Sequence, residues 1–266
     1  MNQGPKTHRR TKIVATVGPG CDSEDMLNRL IAAGVDVFRL NFSHGSAEHH
    51  AEVAARIRRQ AGYAGRYIGV LADLQGPKIR ISGFDAGSVE LTAGDPFCLD
   101  LDTAHDAGDQ RRVGIEYRAL PEQVIVDDIL LLDDGKLRLR VDDVTERAVD
   151  CTVIIGGRLS SRKGVNKLGG GLAAPALTEK DRADIAGMAT VDPDFVAVSF
   201  VSSSDDIKLA RTLLDEVGVS PAIIAKIERA EVVADYELLD SIIVNAAGVM
   251  VARGDLGVEW VDPQPL

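Results

Sequence analysis

Two acids and a lysine at the ends of apolar runs are the first candidates for chemistry in this chain. Lys226 and Glu228 close the run "AIIAKIE", and Asp255 follows "VMVARG". If the two runs are neighbouring strands, the carboxylates of Glu228 and Asp255 converge. Two hard oxygen ligands, completed by substrate and water, are a common way to hold Mg²⁺ beside phosphate. The plainer use of each acid is to cap a helix or to pair with Arg229 or Arg253. Lys226 stands two residues before Glu228, on the same face of an extended strand. Burying an unpaired ammonium is costly. Beside a metal, it would stabilise charge on a phosphoryl group or an enolate oxygen. A structural ion pair with Glu228 or Asp255 also accounts for it and leaves catalysis open.

A second group lies in "FRLNFSHG", where alternation puts Arg39, Asn41 and Ser43 on one face, with His44 just beyond. Arginine suits bidentate contact with phosphate. Asn41 and Ser43 offer neutral oxygens that, with Asp73, make a weakly charged site for a monovalent cation. At strand ends the same residues also serve as turn formers. "DLQGPKIR" sets Lys78 and Arg80 after Gly76 and Pro77, and "SSRKGVN" supplies Arg162 and Lys163. Basic residues at both crossings suit a lid over a phosphate-rich ligand, and equally suit solvated charge at a linker. There is no GxxxxGK[ST] spelling. "GGGLAA" (169–174) is read as following no strand, which excludes a dinucleotide fingerprint. "RGD" (253–255), read as buried at a strand end, is not displayed for adhesion.

These residues need elements to hold them. Strand-like runs at 12–18, 35–43, 67–74, 194–200, 221–227 and 248–254 alternate with helix-like runs, the last strand being read as buried on both faces. The first helix has Asp22 or Ser23 as cap and Gly34 as stop; Thr178 caps another, and Gly218 stops a third. "LTEKDRADIAGMA" and "ERAEVVADYELLDS" each read as one helix. From about Ile81 to Leu172 the rhythm breaks into short alternating segments, with Asp134-Gly135 as a hairpin turn. Parallel strands with right-handed crossovers follow from the βα rhythm. Polar residues end nearly every strand. An open sheet gathers function at one switch point, whereas a barrel brings all strand ends to one mouth. The expected fold is therefore α/β of the (β/α)₈ TIM-barrel type, incomplete with about six βα units, carrying an inserted small all-β lid domain. The boundaries read as 1–80 and 173–266 for the barrel and 81–172 for the insert.

Bulk properties narrow the function. Of 266 residues 45% are hydrophobic, enough for a large core, and the net charge of −11 excludes a general nucleic-acid binder. Cys21, Cys98 and Cys151 are scattered, which suits a reduced compartment better than disulfides or zinc. The opening "MNQGPKTHRR" has no apolar leader, and no run is long enough to span a membrane. A soluble cytoplasmic protein is expected.

Together, "TKIVATVGP", "RLNFSHG", "DLQGPKIR", "LLDDGKL", "SSRKGVN", "LTEKD", "VAVSF", "AKIE" and "VARGDLGVE" resemble the motifs of the pyruvate kinase family, in that family's order. The resemblance implies glycolytic transfer of phosphate from phosphoenolpyruvate to ADP, giving pyruvate and ATP. It implies Mg²⁺ (or Mn²⁺) at Glu228 and Asp255, and K⁺ at Asn41, Ser43, Asp73 and the carbonyl of Leu74. Lys226 would be the transition-state stabiliser, with Arg39, Gly254 and Asp255 as further substrate contacts. Nucleotide contacts would map to Asn41, His44, Arg80 and Lys163, and the assembly would be a homo-oligomer. Leu74 replaces a threonine common in the family, and "NKLGGGL" (166–172) replaces a leucine-proline-glycine turn and is similar to one bacterial branch. Without the insert roughly 175 residues remain, against the ~250 typical of a complete barrel. After "DLGVE" the tail "WVDPQPL" departs from the family, and the catalytic threonine, last two strands and C-terminal domain find no counterpart. The first and sixth strands would then be exposed edges. The expectation is a chain inactive alone unless a second chain supplies the remainder. The alternatives are a non-catalytic fragment partnering full-length enzyme, or a Mg²⁺-dependent barrel lyase acting on phosphoenolpyruvate or pyruvate.

Overall fold

The computed structural model describes residues 10–260. The opening segment and most of the tail "WVDPQPL" lie outside the described residues.

The chain begins with β1 (Val14–Val17), α1 (Glu24–Ala33), β2 (Val37–Asn41), α2 (Ala47–Tyr63) and β3 (Gly69–Asp73). The β-rich segment follows: β4 (Ser88–Leu91), β5 (Pro96–Asp100), β6 (Arg112–Gly114), the short α3 (Leu120–Gln123), β7 (Ile129–Leu132), β8 (Leu137–Val144), β9 (Ala148–Ile155), β10 (Gly157–Ser160) and β11 (Val165–Lys167). The βα rhythm then resumes with α4 (Glu179–Ala186), α5 (Met188–Val191), β12 (Phe195–Val198), α6 (Ser204–Glu216), β13 (Ala222–Ile227), α7 (Ala230–Ala234), α8 (Tyr236–Asn245), β14 (Gly248–Val251) and α9 (Arg253–Glu259).

Six parallel strands form one curled sheet in the order β1-β2-β3-β12-β13-β14. Once the insert is skipped, every strand lies beside its successor. A doubly wound sheet would reverse direction at a switch point. No reversal occurs, so the sheet is a partial (β/α) barrel. The inserted strands make a six-stranded sheet, β11-β7-β8-β9-β5-β6, and the pair β10-β4. Their core, with Leu99, Leu130, Leu139 and Val149, shares no residue with the barrel core around Phe38, Ile57, Val196 and Ile223. Polar contacts cross the junction between them, among them Lys78 with Asp255 and Asn166 with Glu259.

Capping residues do the work read from the sequence. Ser23 Oγ accepts the Met26 amide, and Gly34 closes α1 with φ of 109°. Thr178 and Asp181 form a reciprocal capping box on α4. Asp181 also accepts the Gly76 amide at 3.2 Å, tying the hinge to that helix.

Five local readings need correction. Gly187 separates α4 from α5. Asp235 ends α7 and starts α8, because its carboxylate accepts the amides of Glu237 and Leu238 and so begins a new helix. The sixth strand stops at Val251, and Arg253 opens α9 instead of ending the strand. Val249 and Val251 are 43% and 61% exposed, since among the described residues β14 pairs only with β13; it is an edge, not a strand covered on both faces. "GGGLAA" does follow a strand, β11, but it opens no helix, so it still lacks the form of a dinucleotide loop.

Gly76 shows how tightly the hinge is seated. Its φ is +67°, and a Cβ there would lie 2.7 Å from Ser199 Cβ. Gly76→Ala is expected to lose at least about 1–2 kcal/mol from the left-handed backbone alone, with more from displacing Ser199. Urea denaturation measures it; a variant as stable as the parent would contradict this packing.

Candidate active site

The carboxyl ends of β2, β3, β12 and β13 carry the polar cluster. Lys226 is 9% exposed and reaches three oxygens: Ser199 Oγ at 2.6 Å, Glu228 Oε1 at 3.1 Å and Asp73 Oδ1 at 3.2 Å. Asp73, at the end of β3, is 1% exposed, and its Oδ2 takes Arg39 Nε at 2.6 Å and an Arg39 Nη2 contact. Arg39 Nη1 donates to Thr16 Oγ1 at 2.9 Å, which orients the guanidinium from the first strand. The pair Lys226–Asp73 is ionic without hydrogen-bond alignment, so Asp73 Oδ1 is a buried acceptor with no hydrogen bond.

Glu228 is 2% exposed, and its Oε2 accepts the Phe200 amide at 2.7 Å. Burial pushes its carboxyl above the ordinary glutamate value. Lys226 and the Phe200 amide pull it back, and the nearby charge of Asp255 adds to the upward push. Glu228 and Asp255 therefore feel one another. Asp255 sits in the first turn of α9 and takes Lys78 Nζ at 3.0 Å; Lys78 also lies 3.6 Å from Asp134 on the β7–β8 turn. Arg253 and Gly254 are exposed at the start of α9, contrary to their reading as a buried strand end. Among the described residues Arg253 makes no ion pair with either acid, and Arg229 pairs with Glu231 rather than Glu228.

The cation readings can be tested for fit on chemistry. Among the described residues no group of three or more His, Cys, Asp or Glu could hold a metal. Asp255 is near enough to act on the Glu228 carboxyl, and two such carboxylates would leave the rest of a divalent ion's shell to substrate and water. The raised Glu228 carboxyl is the group such an ion would relieve, so the pair fits. For a monovalent cation, Asp73 Oδ1, which faces the Lys226 ammonium without a hydrogen bond, and the Leu74 carbonyl are oxygen donors of the right kind. That carbonyl already accepts Ser199 Oγ at 2.7 Å, and Asn41 Oδ1 accepts the Ser43 amide at 3.1 Å. Asn41 therefore does serve as a turn former.

The residues read as nucleotide contacts fall in two places. Asn41 and His44 line a cleft of about 330 Å³ with Thr16 and Pro19. His50, stacked on Phe42 at 4.2 Å, has Nε2 2.8 Å from the His44 carbonyl; a carbonyl only accepts, so Nε2 carries the proton. Arg80 donates to the Arg162 carbonyl at 3.0 Å, and Lys163 pairs with Asp133 at 2.7 Å, both at the hinge. Among the described residues no hydrogen bond or ion pair links the two places.

Two participants were given no role by the sequence. Ser199, visible only as one of the polar residues that end the strands, bridges Lys226 and the Leu74 carbonyl. Arg229 donates to the carbonyls of Phe200, Leu172 and Ala174 at 2.9, 3.1 and 2.7 Å. No sequence signal marks an arginine whose partners are distant main-chain oxygens.

The family described as pyruvate kinase, barrel domain, matches residues 8–264. Pyruvate kinase II of Salmonella typhimurium is 51% identical over 96% of this chain and 53% of its own length. Pyruvate kinase of Haemophilus influenzae is 50% identical over 96% of this chain and 54% of its length. That of Mycobacterium tuberculosis is 41% identical over 94% and 52%. The chain spans about half the length of the curated relatives it matches.

Proposed function

The chain belongs to the pyruvate kinase family, and from that premise we propose that its site moves phosphate from phosphoenolpyruvate to ADP, giving pyruvate and ATP in the cytoplasm. The observation that carries the reading is the buried Lys226 ammonium, held among Asp73, Ser199 and Glu228 at adjacent strand ends. Phosphoryl transfer asks the protein for positioning and charge neutralisation more than for covalent chemistry.

In this reading Lys226 faces the transferring phosphoryl group and the enolate oxygen left behind. Its partners hold the ammonium in place before reaction, so no reorganisation is needed at that moment. Arg39, fixed by Thr16 and Asp73, presents the rest of its guanidinium to the substrate's anionic end. Gly254 and Asp255 complete the substrate contacts. Glu228 and Asp255 would hold Mg²⁺ or Mn²⁺, which when bound neutralises phosphate charge. Asn41, Ser43, Asp73 and the Leu74 carbonyl would hold K⁺. Asn41 and His44 on one side, and Arg80 and Lys163 across the hinge, would receive the nucleotide. The insert, 81–172, is the lid over them, and the assembly is a homo-oligomer as the family resemblance implies. Among the described residues no helix is long and apolar enough to cross a membrane.

The test is Mn²⁺ binding by the 266-residue protein, followed through water-proton relaxation. Glu228→Gln and Asp255→Asn should each weaken binding by at least about 10–100-fold, since even partners of a ligand matter that much. Unchanged affinity in either variant would overturn the metal assignment. A lactate dehydrogenase-coupled assay reads turnover separately. ADP-dependent pyruvate formation by the chain alone would overturn the expectation of inactivity, and substrate cleavage without nucleotide would favour the lyase.

A further inference from the structure

The two hydrophobic cores share no residue, yet one seven-residue helix touches both crossings of the hinge. At its first turn Asp255 takes Lys78 Nζ from the outgoing crossing at 3.0 Å. At its last residue Glu259 engages the return. Asn166 Nδ2, on β11, donates to Glu259 Oε1 at 2.9 Å, and the Gly169 amide donates to the Glu259 carbonyl at 3.0 Å. The second carboxylate oxygen accepts the Ala230 amide at 3.2 Å, two residues past Glu228. Both side chains are 7% exposed. The insert, the helix α9 and the strand end bearing Glu228 thus meet at one carboxylate.

We propose that Glu259 is the latch that positions the inserted domain on the barrel, and that α9 couples this position to the placement of Asp255. Two features make it a latch and not a packed seam. The contact is made of hydrogen bonds among groups that belong to neither hydrophobic core. It also borders a small cavity of about 20 Å³, lined by Lys78, Asn166, Arg229 and Glu259 together with apolar residues such as Leu172 and Phe200, so packing behind the contact is incomplete. Burial holds the Glu259 carboxyl above its ordinary value, while Asn166 and the Ala230 amide pull it back; those donors are what keep a buried carboxylate tolerable. Asp255 and Glu259 are four residues apart, one turn of helix, so a shift at one end moves the other. The latch stands on its own contacts; only its coupling to a bound cation rests on the proposed metal site.

The experiment exchanges donor for acceptor. Asn166→Asp sets two carboxylates against each other in a buried place and should open the latch. Adding Glu259→Gln should close it again, because the new amide group donates to the new carboxylate while its oxygen still accepts the Ala230 amide. Hydrogen exchange on the 266-residue protein reads this directly. In Asn166→Asp the Gly169 and Ala230 amides should exchange at least about tenfold faster, with β2, β3, β8 and β9 unchanged, as for a local opening. The double variant should return to the parent's rates. Unchanged rates in the single variant, uniform loss of protection, or failure of the double variant to recover would each overturn the latch. Mn²⁺ affinity supplies the second readout. A several-fold loss in Asn166→Asp, restored in the double variant, supports the coupling to Asp255; parent-like affinity in the single variant overturns it. Failure of the parent to bind Mn²⁺ would defeat the metal assignment and its coupling, and leave the latch to be judged by exchange.

Discussion

Lys226→Met is expected to lower the unfolding free energy of this chain by about 3–5 kcal/mol at pH 8, the cost of stripping one partner from a buried ion pair. The reason lies in what remains. Asp73 keeps Arg39, but Glu228 is left with only the Phe200 amide, while 2% exposed and still within reach of the Asp255 charge. Burial already raises the Glu228 carboxyl, and losing the ammonium removes the largest opposing influence. A raised carboxyl means that the folded state holds its proton at a pH where the unfolded chain, near 4.5, has released it. The native state then binds more protons, so stability falls as pH rises from about 4.5 through the raised value. The loss from Lys226→Met should therefore be largest above that window and shrink on acidification, as Glu228 takes up a proton and needs no counter-charge. Urea denaturation between pH 5 and 8 measures it. A loss below about 1 kcal/mol at every pH would place Lys226 with solvated surface pairs. In any assembly that turns over, the same substitution should cost about 10²–10³-fold in rate, the scale of removing one preorganised charge donor.

The fold was legible where local chemistry and long-range order coincide. Six strands could be read because apolar runs of strand length alternate with capped amphipathic segments. Their parallel, barrel-like order followed because polar groups end nearly every run. What could not be read was where a run stops for tertiary reasons. "GVMVARGD" looks like one extended stretch, yet Arg253 begins α9, and that helix sets Asp255 on Lys78 and Glu259 on Asn166, residues 177 and 93 positions earlier in the chain. Asp235 was visible as a polar residue, but its use as a cap that splits one helix into two depends on which amides are unpartnered there.

The candidate site divides in the same way. Lys226, Glu228, Asp73 and Arg39 were legible because a charged residue inside or just past an apolar run is costly to place without a partner. They are indeed one another's partners. Lys78 was read either as charge facing phosphate or as solvated charge at a linker, and its ammonium rests on Asp255 with Asp134 nearby. Ser199, Arg229 and Glu259 act on main-chain or distant polar groups, and side-chain type alone carries no trace of such pairing.

Arg229 is the strongest case of that blindness and carries the second large prediction. Its side chain is 5% exposed, and it spends its donors on three neutral carbonyls, with Glu231 3.5 Å away. Phe200, Leu172 and Ala174, which supply those carbonyls, are themselves buried. The guanidinium joins the end of β12 to the returning hinge by a planar fork, and a point charge cannot reproduce three bonds in fixed directions. Arg229→Met would leave the buried Phe200 and Ala174 carbonyls unpaired at about 1–3 kcal/mol each, while the Leu172 carbonyl keeps the Ala174 amide at 3.1 Å. The neighbouring cavity lets water recover part of this, so a total loss of about 3–5 kcal/mol is expected. Arg229→Lys should retain the charge and one or two of the bonds, and lose roughly half as much. If charge alone mattered, the lysine variant would denature with the parent; if only apolar bulk mattered, the methionine variant would. Urea denaturation of the three proteins decides among these, and the fork requires the order parent, lysine, methionine.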